Sequence, residues 1–240
     1  MAISFADFTE QTNGRTRSEA RRAGFRQATR VQRSFLASAE KRALVWMAER
    51  MPSWVDSDHL TVLGFAAQIA TGVCYALAAS DRRMLLVAIV CLGLNWFGDS
   101  LDGTLARVRQ KQRPRYGFYV DHIIDSVGAT AMMAGLALSG YVHPVIAIGL
   151  LVAFLLLSIQ AYLATYTLGE FHLSLWHLWP TELRVLLIVG NLAVFRWPWV
   201  LHARYRLFDI GGAIGLAGML LVLVVVSVKN TVRLYREEKL

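Results

Sequence analysis

The sequence predicts an all-α integral membrane protein, with six transmembrane helices and an N-terminal amphipathic interfacial helix. Three observations carry that prediction. Of the 240 residues, 55% are hydrophobic and 18% charged, whereas soluble domains run nearer about 45–50% apolar with about 25% charge. Six apolar stretches follow Pro52, each near the ~20 residues that cross a hydrocarbon core about 30 Å thick. The formal net charge of +8 comes from Lys and Arg beside those stretches, which suits a basic side turned to anionic membrane lipid and not a nucleic-acid partner. Stretches such as Leu216–Val228 exclude disorder for the bulk of the chain. Cys74 and Cys91 lie inside apolar runs, so neither a disulfide framework nor a zinc knuckle is expected.

Residues 1–34 hold Arg15, Arg17, Arg21, Arg22, Arg26, Arg30 and Arg33 and few large apolar groups. They are expected to form a basic arm, and without an apolar core they do not read as a signal peptide. Residues 35–55 are amphipathic. Leu36, Ala43, Leu44, Met47 and Met51 share one helical face, with Lys41, Arg42 and Glu49 opposite. Glu40 and Arg50 interrupt the pattern, and Pro52 ends it.

Residues 56–230 are expected to form one six-helix catalytic domain. Its spans are placed at Leu60–Ala79, Met84–Leu105, Phe118–Leu138, Val142–Tyr166, Thr181–Phe195 and Asp209–Lys229. The runs are too long and too uniformly apolar for alternating barrel strands. The fifth is short and needs a thin local bilayer or an extension. Residues 231–240 are read as a tail. With six spans the termini share a side with the loops at 106–117 and 167–180, and that side receives twenty of the 25 Lys and Arg. The positive-inside rule then puts the termini in the cytoplasm.

A carboxylate at the centre of a membrane helix costs roughly 2.5–3.5 kcal/mol on insertion scales, so such residues normally mark function. Asp99 and Asp102 are spaced i,i+3 in the second span, and Asp121 and Asp125 are spaced i,i+4 in the third. Each pair shares a helical face. The intervening loop is short enough to make the helices antiparallel neighbours, with all four carboxylates expected to meet near the cytoplasmic end of one cleft. Clustered carboxylates raise each other's pKa until some neutralise. A divalent cation, or two, removes that penalty, and hard oxygen ligands without nearby Cys point to Mg²⁺ or Mn²⁺. Gly103, Ala106 and Gly117 leave the helix walls low beside the carboxylates, and Arg107 is placed to hold a phosphate. Together these residues describe a diphosphate site. The bland alternative, aspartates that cap helix ends at the interface, leaves the spacing and the small residues without a reason.

Asp99-Ser-Leu-Asp102-Gly103-Thr-Leu-Ala106-Arg107, nine residues, then Gly117-Phe-Tyr-Val-Asp121-His-Ile-Ile-Asp125 resembles the full signature of the CDP-alcohol phosphotransferase family. Every fixed position is filled, and the surrounding spans and preceding amphipathic helix also resemble that family. The resemblance implies that Asp99, Asp102 and Asp121 bind metal. It implies that Asp125 also touches metal and acts as general base. Gly103 and Arg107 would contact the CDP moiety, with Ala106 and Gly117 leaving space for it. Some members have a Ser or Thr in the loop that contacts the nucleotide, where this chain has Arg113-Pro114-Arg115.

The implied reaction is transfer of a phosphatidyl group from CDP-diacylglycerol to a hydroxyl acceptor, with release of CMP. An alternative polarity delivers a CDP-linked head group, of the CDP-choline or CDP-ethanolamine type, to diacylglycerol; His122, directly after Asp121, resembles that branch. Glu182 and Arg184 open the fifth span from the same side and, with His122, are candidates for acceptor binding or a second base. Glu182 also reads simply as a first-turn acid paired with Arg184. His172, His177, Trp176 and Trp179 read as an interfacial belt first and an acceptor gate second. Gly211, Gly212, Gly215 and Gly218 suit close helix packing, including a homodimer contact. A reading from another class, a cation channel or transporter, fits less well, because transport sites usually lie near the midplane on interrupted helices.

Overall fold

Each of the six apolar stretches folds as one continuous helix, and a shorter helix precedes them. The computed structural model describes residues 37–168, 180–197 and 207–238. Within these, α1 is Ala37–Glu49, α2 Ser57–Ala78, α3 Met84–Val108, α4 Pro114–Leu138, α5 Pro144–Leu168, α6 Pro180–Arg196 and α7 Leu207–Glu237. The basic arm at 1–34 and the loop with His172, Trp176, His177 and Trp179 lie outside the described residues. The helices α2, α3, α5 and α7 are long and apolar enough to cross a membrane by length and composition. Helix α4 carries Arg115, Asp121 and Asp125 in its first half, and α6 has 17 residues, which sets both apart from the other four.

Helix α1 buries the ridge 44–48, where Leu44 and Ala48 are enclosed and Met47 and Met51 half-buried. They pack with Val55, Leu60, Leu101 and Leu105 beside Trp96 and Phe97. Ala43, expected on this face, is exposed, because it falls a 100° step from Leu44 and off the i,i+4 ridge. The turn after α1 is held by Arg109, mostly buried at 20% side-chain exposure. Its guanidinium donates to the carbonyls of Met51 at 3.0 Å and Pro52 at 2.8 Å, and also to that of Val55. Hydrogen bonds from a charged donor are worth roughly 1.5–3 kcal/mol each. Even one such bond is worth about 5 °C in a chain of this size, so Arg109→Ala is expected to lower the thermal midpoint in detergent by at least that much, and an unchanged midpoint would show that the turn holds without it.

Helix α2 is the centre of the bundle and packs on both α3 and α4. Two close approaches allow this. A Cβ on Gly98 would lie 2.6 Å from the Gly64 nitrogen and the Leu60 oxygen, and one on Gly135 would strike the Gly72 carbonyl. Small residues at such crossings let backbones touch. The short loop predicts α3 and α4 as antiparallel neighbours. Instead each lies on α2, and neither packs along the other. Asp99 of α3 therefore meets Asp121 and Asp125 of α4 without a long shared seam between the two helices.

The loop itself starts with a helix stop. Gln110 takes the left-handed conformation, φ +54°; its amide donates to the Arg107 carbonyl, and the Lys111 amide donates to that of Ala106, the paired bonds of a Schellman cap. Pro114 then opens α4, a position where its missing N–H does no harm. A second core, formed by Tyr75, Leu85, Leu92, Leu136, Val142 and Val194 with their neighbours, fills the far end, and Cys74 and Cys91 are buried there as free thiols. Helix α5 packs on α4 and α7, and α6 on α3. Gly212 and Gly215 receive Ile146 and Leu150 of α5, while Gly211 and Gly218 face open space. Helix α7 contains no buried residue, and it runs through Glu237, so the tail expected from residue 231 is its last turns.

Candidate active site

The i,i+3 and i,i+4 spacings put Asp99 and Asp102 on one face of α3, and Asp121 and Asp125 on one face of α4. Ligand oxygens of Asp99, Asp121 and Asp125 all lie within 4.8 Å of one another. All three side chains are partly exposed. Three hard carboxylate oxygens gathered this closely are a set that could hold a metal ion, and without one the like charges repel.

Asp102 is not part of this trio. Its Oδ2 accepts from the Thr61 hydroxyl of α2 at 2.7 Å, and its Oδ1 from the Gly103 amide. Asp99 is held from the other side. Arg184 of α6 donates from Nη2 to Asp99 Oδ2 at 2.7 Å and from Nε to Asn95 Oδ1 at 2.8 Å. Asn95 donates in turn to the Gly64 carbonyl at 3.0 Å, which fixes its amide orientation. The side chain of Glu182 lies outside the described residues, so the partner found for Arg184 is Asp99.

The slot expected beside the carboxylates is open. A Cβ on Gly117 would meet nothing within 4 Å, and one on Gly103 only the Arg107 guanidinium, at 3.6 Å. Ala106 is half-buried next to them. Arg107 is exposed and donates to the Thr104 hydroxyl at 3.0 Å, so its guanidinium leans back along α3 over Gly103. Arg113, in the loop that departs from the family pattern, pairs with Asp58 at the start of α2 and stacks 4.3 Å over Tyr116. Asp58 holds the Arg113 guanidinium above its ordinary pKa.

His122 is packed against aromatic rings of α4 and α5. Its ring sits 4.1 Å from Phe118 and 4.8 Å from Tyr162 between centroids, and Nδ1 lies against the Phe118 carbonyl. It is 3.9 Å from Asp121 Oδ2. The hydroxyl of Ser126, the residue after Asp125, donates to the His122 carbonyl at 2.8 Å.

Thr61 and Asn95, which hold Asp102 and Arg184, are not among the residues that the sequence singles out. The available signal was a polar group inside an apolar run: Asn95 lies four residues before Asp99, on the same face of α3.

The family model described as CDP-alcohol phosphatidyltransferase matches residues 54–228. No curated protein matches the chain. The matched range takes in α2 through most of α7, and so all four aspartates, and leaves out α1.

Proposed function

The chain belongs to the CDP-alcohol phosphatidyltransferase family, whose members are phosphotransferases that use CDP-linked donors, and from that premise we propose that it moves a phosphatidyl group from CDP-diacylglycerol to a hydroxyl acceptor and releases CMP. The observation that carries the reading is the carboxylate trio of Asp99, Asp121 and Asp125, with open space at Gly117 and the Arg107 guanidinium over Gly103. These three residues would hold a divalent cation, and Asp102, one turn along α3, extends the proposal to a second. Such a cation, when bound, supplies positive charge that offsets the diphosphate and the departing CMP.

The chain's own residues do the rest. Arg107 binds phosphate oxygens over Gly103, and the low walls at Ala106 and Gly117 admit the nucleotide. Asp125 accepts the proton of the acceptor hydroxyl. The acceptor oxygen then attacks the phosphorus that bears the diacylglycerol, the bridging P–O bond breaks, and CMP leaves with the bridging oxygen. His122, stacked between Phe118 and Tyr162, shapes the wall. Arg184, which holds Asp99, has a positioning task in this reading.

The same proposal has all six long helices spanning the membrane, with termini and cleft mouth on the cytoplasmic side, and α1 at the interface. Acyl chains then stay in lipid while the nucleotide stays in water. Membrane lipid, and a second copy along the exposed α7, are the remaining partners.

The test is CMP release by purified protein with CDP-diacylglycerol and a panel of hydroxyl acceptors. Release is expected with Mg²⁺ or Mn²⁺ and is expected to vanish with a chelator. Release only from CDP-choline plus diacylglycerol would move the protein to the head-group branch. Metal binding without affinity for any CDP compound would overturn the enzyme reading in favour of an ion site.

A further inference from the structure

Glu40 interrupts the apolar face expected for α1, yet it lies on the same i,i+4 ridge as the buried Leu44 and Ala48. It also lies outside the residues matched by the family, 54–228. Its Oε1 accepts two hydrogen bonds: from Trp96 Nε1 of α3 at 2.8 Å and from the Thr181 hydroxyl of α6 at 3.1 Å. One carboxylate oxygen thereby joins α1, α3 and α6. Both contacts sit close to the site along the chain. Trp96 is three residues before Asp99, and Thr181 three residues before Arg184, the residue that donates to Asp99 at 2.7 Å.

Helix α6 is thus tied to α3 twice within one turn, by Glu40 at Thr181 and by Arg184 at Asn95 and Asp99. A single tie leaves a helix free to swivel about it. The far half of α6 is anchored by Val194 in the core and by Asn191, which donates to the Tyr75 hydroxyl at 3.0 Å; the two ties fix its first turn, and so set where the Arg184 guanidinium points. Partners that hydrogen-bond a metal-binding carboxylate orient it, and losing them commonly weakens metal affinity by roughly 10- to 100-fold.

We propose that Glu40 is a positioning residue: it docks the first turn of α6 onto α3, so that Arg184 holds the Asp99 carboxylate toward Asp121 and Asp125. The surface helix α1 is by this route part of the metal-binding apparatus. The inference rests on the reading of the trio as a metal site.

Mn²⁺ binding to purified protein, followed by electron paramagnetic resonance without substrate, tests it. Glu40→Ala is expected to weaken Mn²⁺ binding by about tenfold. Glu40→Gln is expected to keep most of the affinity, because both hydrogen bonds go to one oxygen that an amide carbonyl can replace. Arg184→Gln is expected to weaken binding similarly, and adding Glu40→Ala to it should cause no further loss. Where Glu40→Ala does not fold, Thr181→Val removes one hydroxyl and should shift affinity in the same direction. The proposal falls if Glu40→Ala and Thr181→Val leave the affinity within about twofold, if Glu40→Gln fails as badly as Glu40→Ala, or if the Glu40→Ala loss persists undiminished beside Arg184→Gln. Absence of any Mn²⁺ binding that Asp121→Asn abolishes would overturn the site reading, and this inference with it. Binding that needs Asp121 but ignores Glu40 would overturn this inference alone.

Discussion

Replacing Asp125 by Asn is expected to lower CMP release by ~10²-fold or more, the scale on which general acid–base help acts, in a protein that still folds. The side chain sits in α4, one turn after Asp121, with its oxygen within 4.8 Å of those of Asp99 and Asp121. Asn has nearly the same shape and leaves the helix intact, but it cannot accept the acceptor's proton. The substitution also removes one negative charge from the trio, so metal binding must be followed beside turnover. Asp99→Asn and Asp121→Asn are expected to lose both Mn²⁺ binding and activity. Asp125→Asn is expected to retain more of the binding than either. Equal loss of binding in all three would make Asp125 a ligand and nothing more, and near-normal turnover would remove it from the reaction.

The second large effect is expected at Gly98. Its α-carbon lies so near α2 that a Cβ would stand 2.6 Å from the Leu60 oxygen and the Gly64 nitrogen, and 2.7 Å from the Gly64 α-carbon. All three are backbone atoms, so no side chain can swing aside. Overpacking typically costs about 1–3 kcal/mol and occasionally more, and contact with backbone puts Gly98→Ala at the upper end. The chemistry should suffer with the fold. Forcing α2 from α3 breaks the hydrogen bond from Asn95 to the Gly64 carbonyl, and with it the seat of Arg184. It also parts Thr61 from Asp102. Gly98→Ala is therefore expected to lower the unfolding midpoint by several degrees and to abolish Mn²⁺ binding. Gly117→Ala is the contrast, since its Cβ meets nothing within 4 Å and Ala is the better helix former. A midpoint for Gly98→Ala equal to that of Gly117→Ala would show that α2 and α3 tolerate separation.

Much of the site was legible because its spacing is local. A carboxylate pair at i,i+3 or i,i+4 shares a face in any α-helix, and apolar runs of helical length have one stable form in lipid. The glycines beside the carboxylates were legible as missing side chains, and a Cβ on Gly117 would meet nothing within 4 Å. Three long-range arrangements were not legible. Helix α2 lies under both aspartate helices, where the short loop suggested direct pairing of α3 with α4. Asp102 turns to Thr61, 41 residues away, and leaves the trio. Glu40, which looked like a fault in an amphipathic pattern, is the bond that gathers three helices.

The sequence by itself thus determined the helices, their apolar faces and the carboxylates that share each face, since all of these follow from the repeat of a single helix. Which helix touches which, and which aspartate is free to join the other two, were decided only in the tertiary structure. Those outcomes depend on backbone approach at Gly64, Gly98, Gly72 and Gly135, and on polar side chains that find partners many turns distant. No periodicity within one segment encodes such pairings.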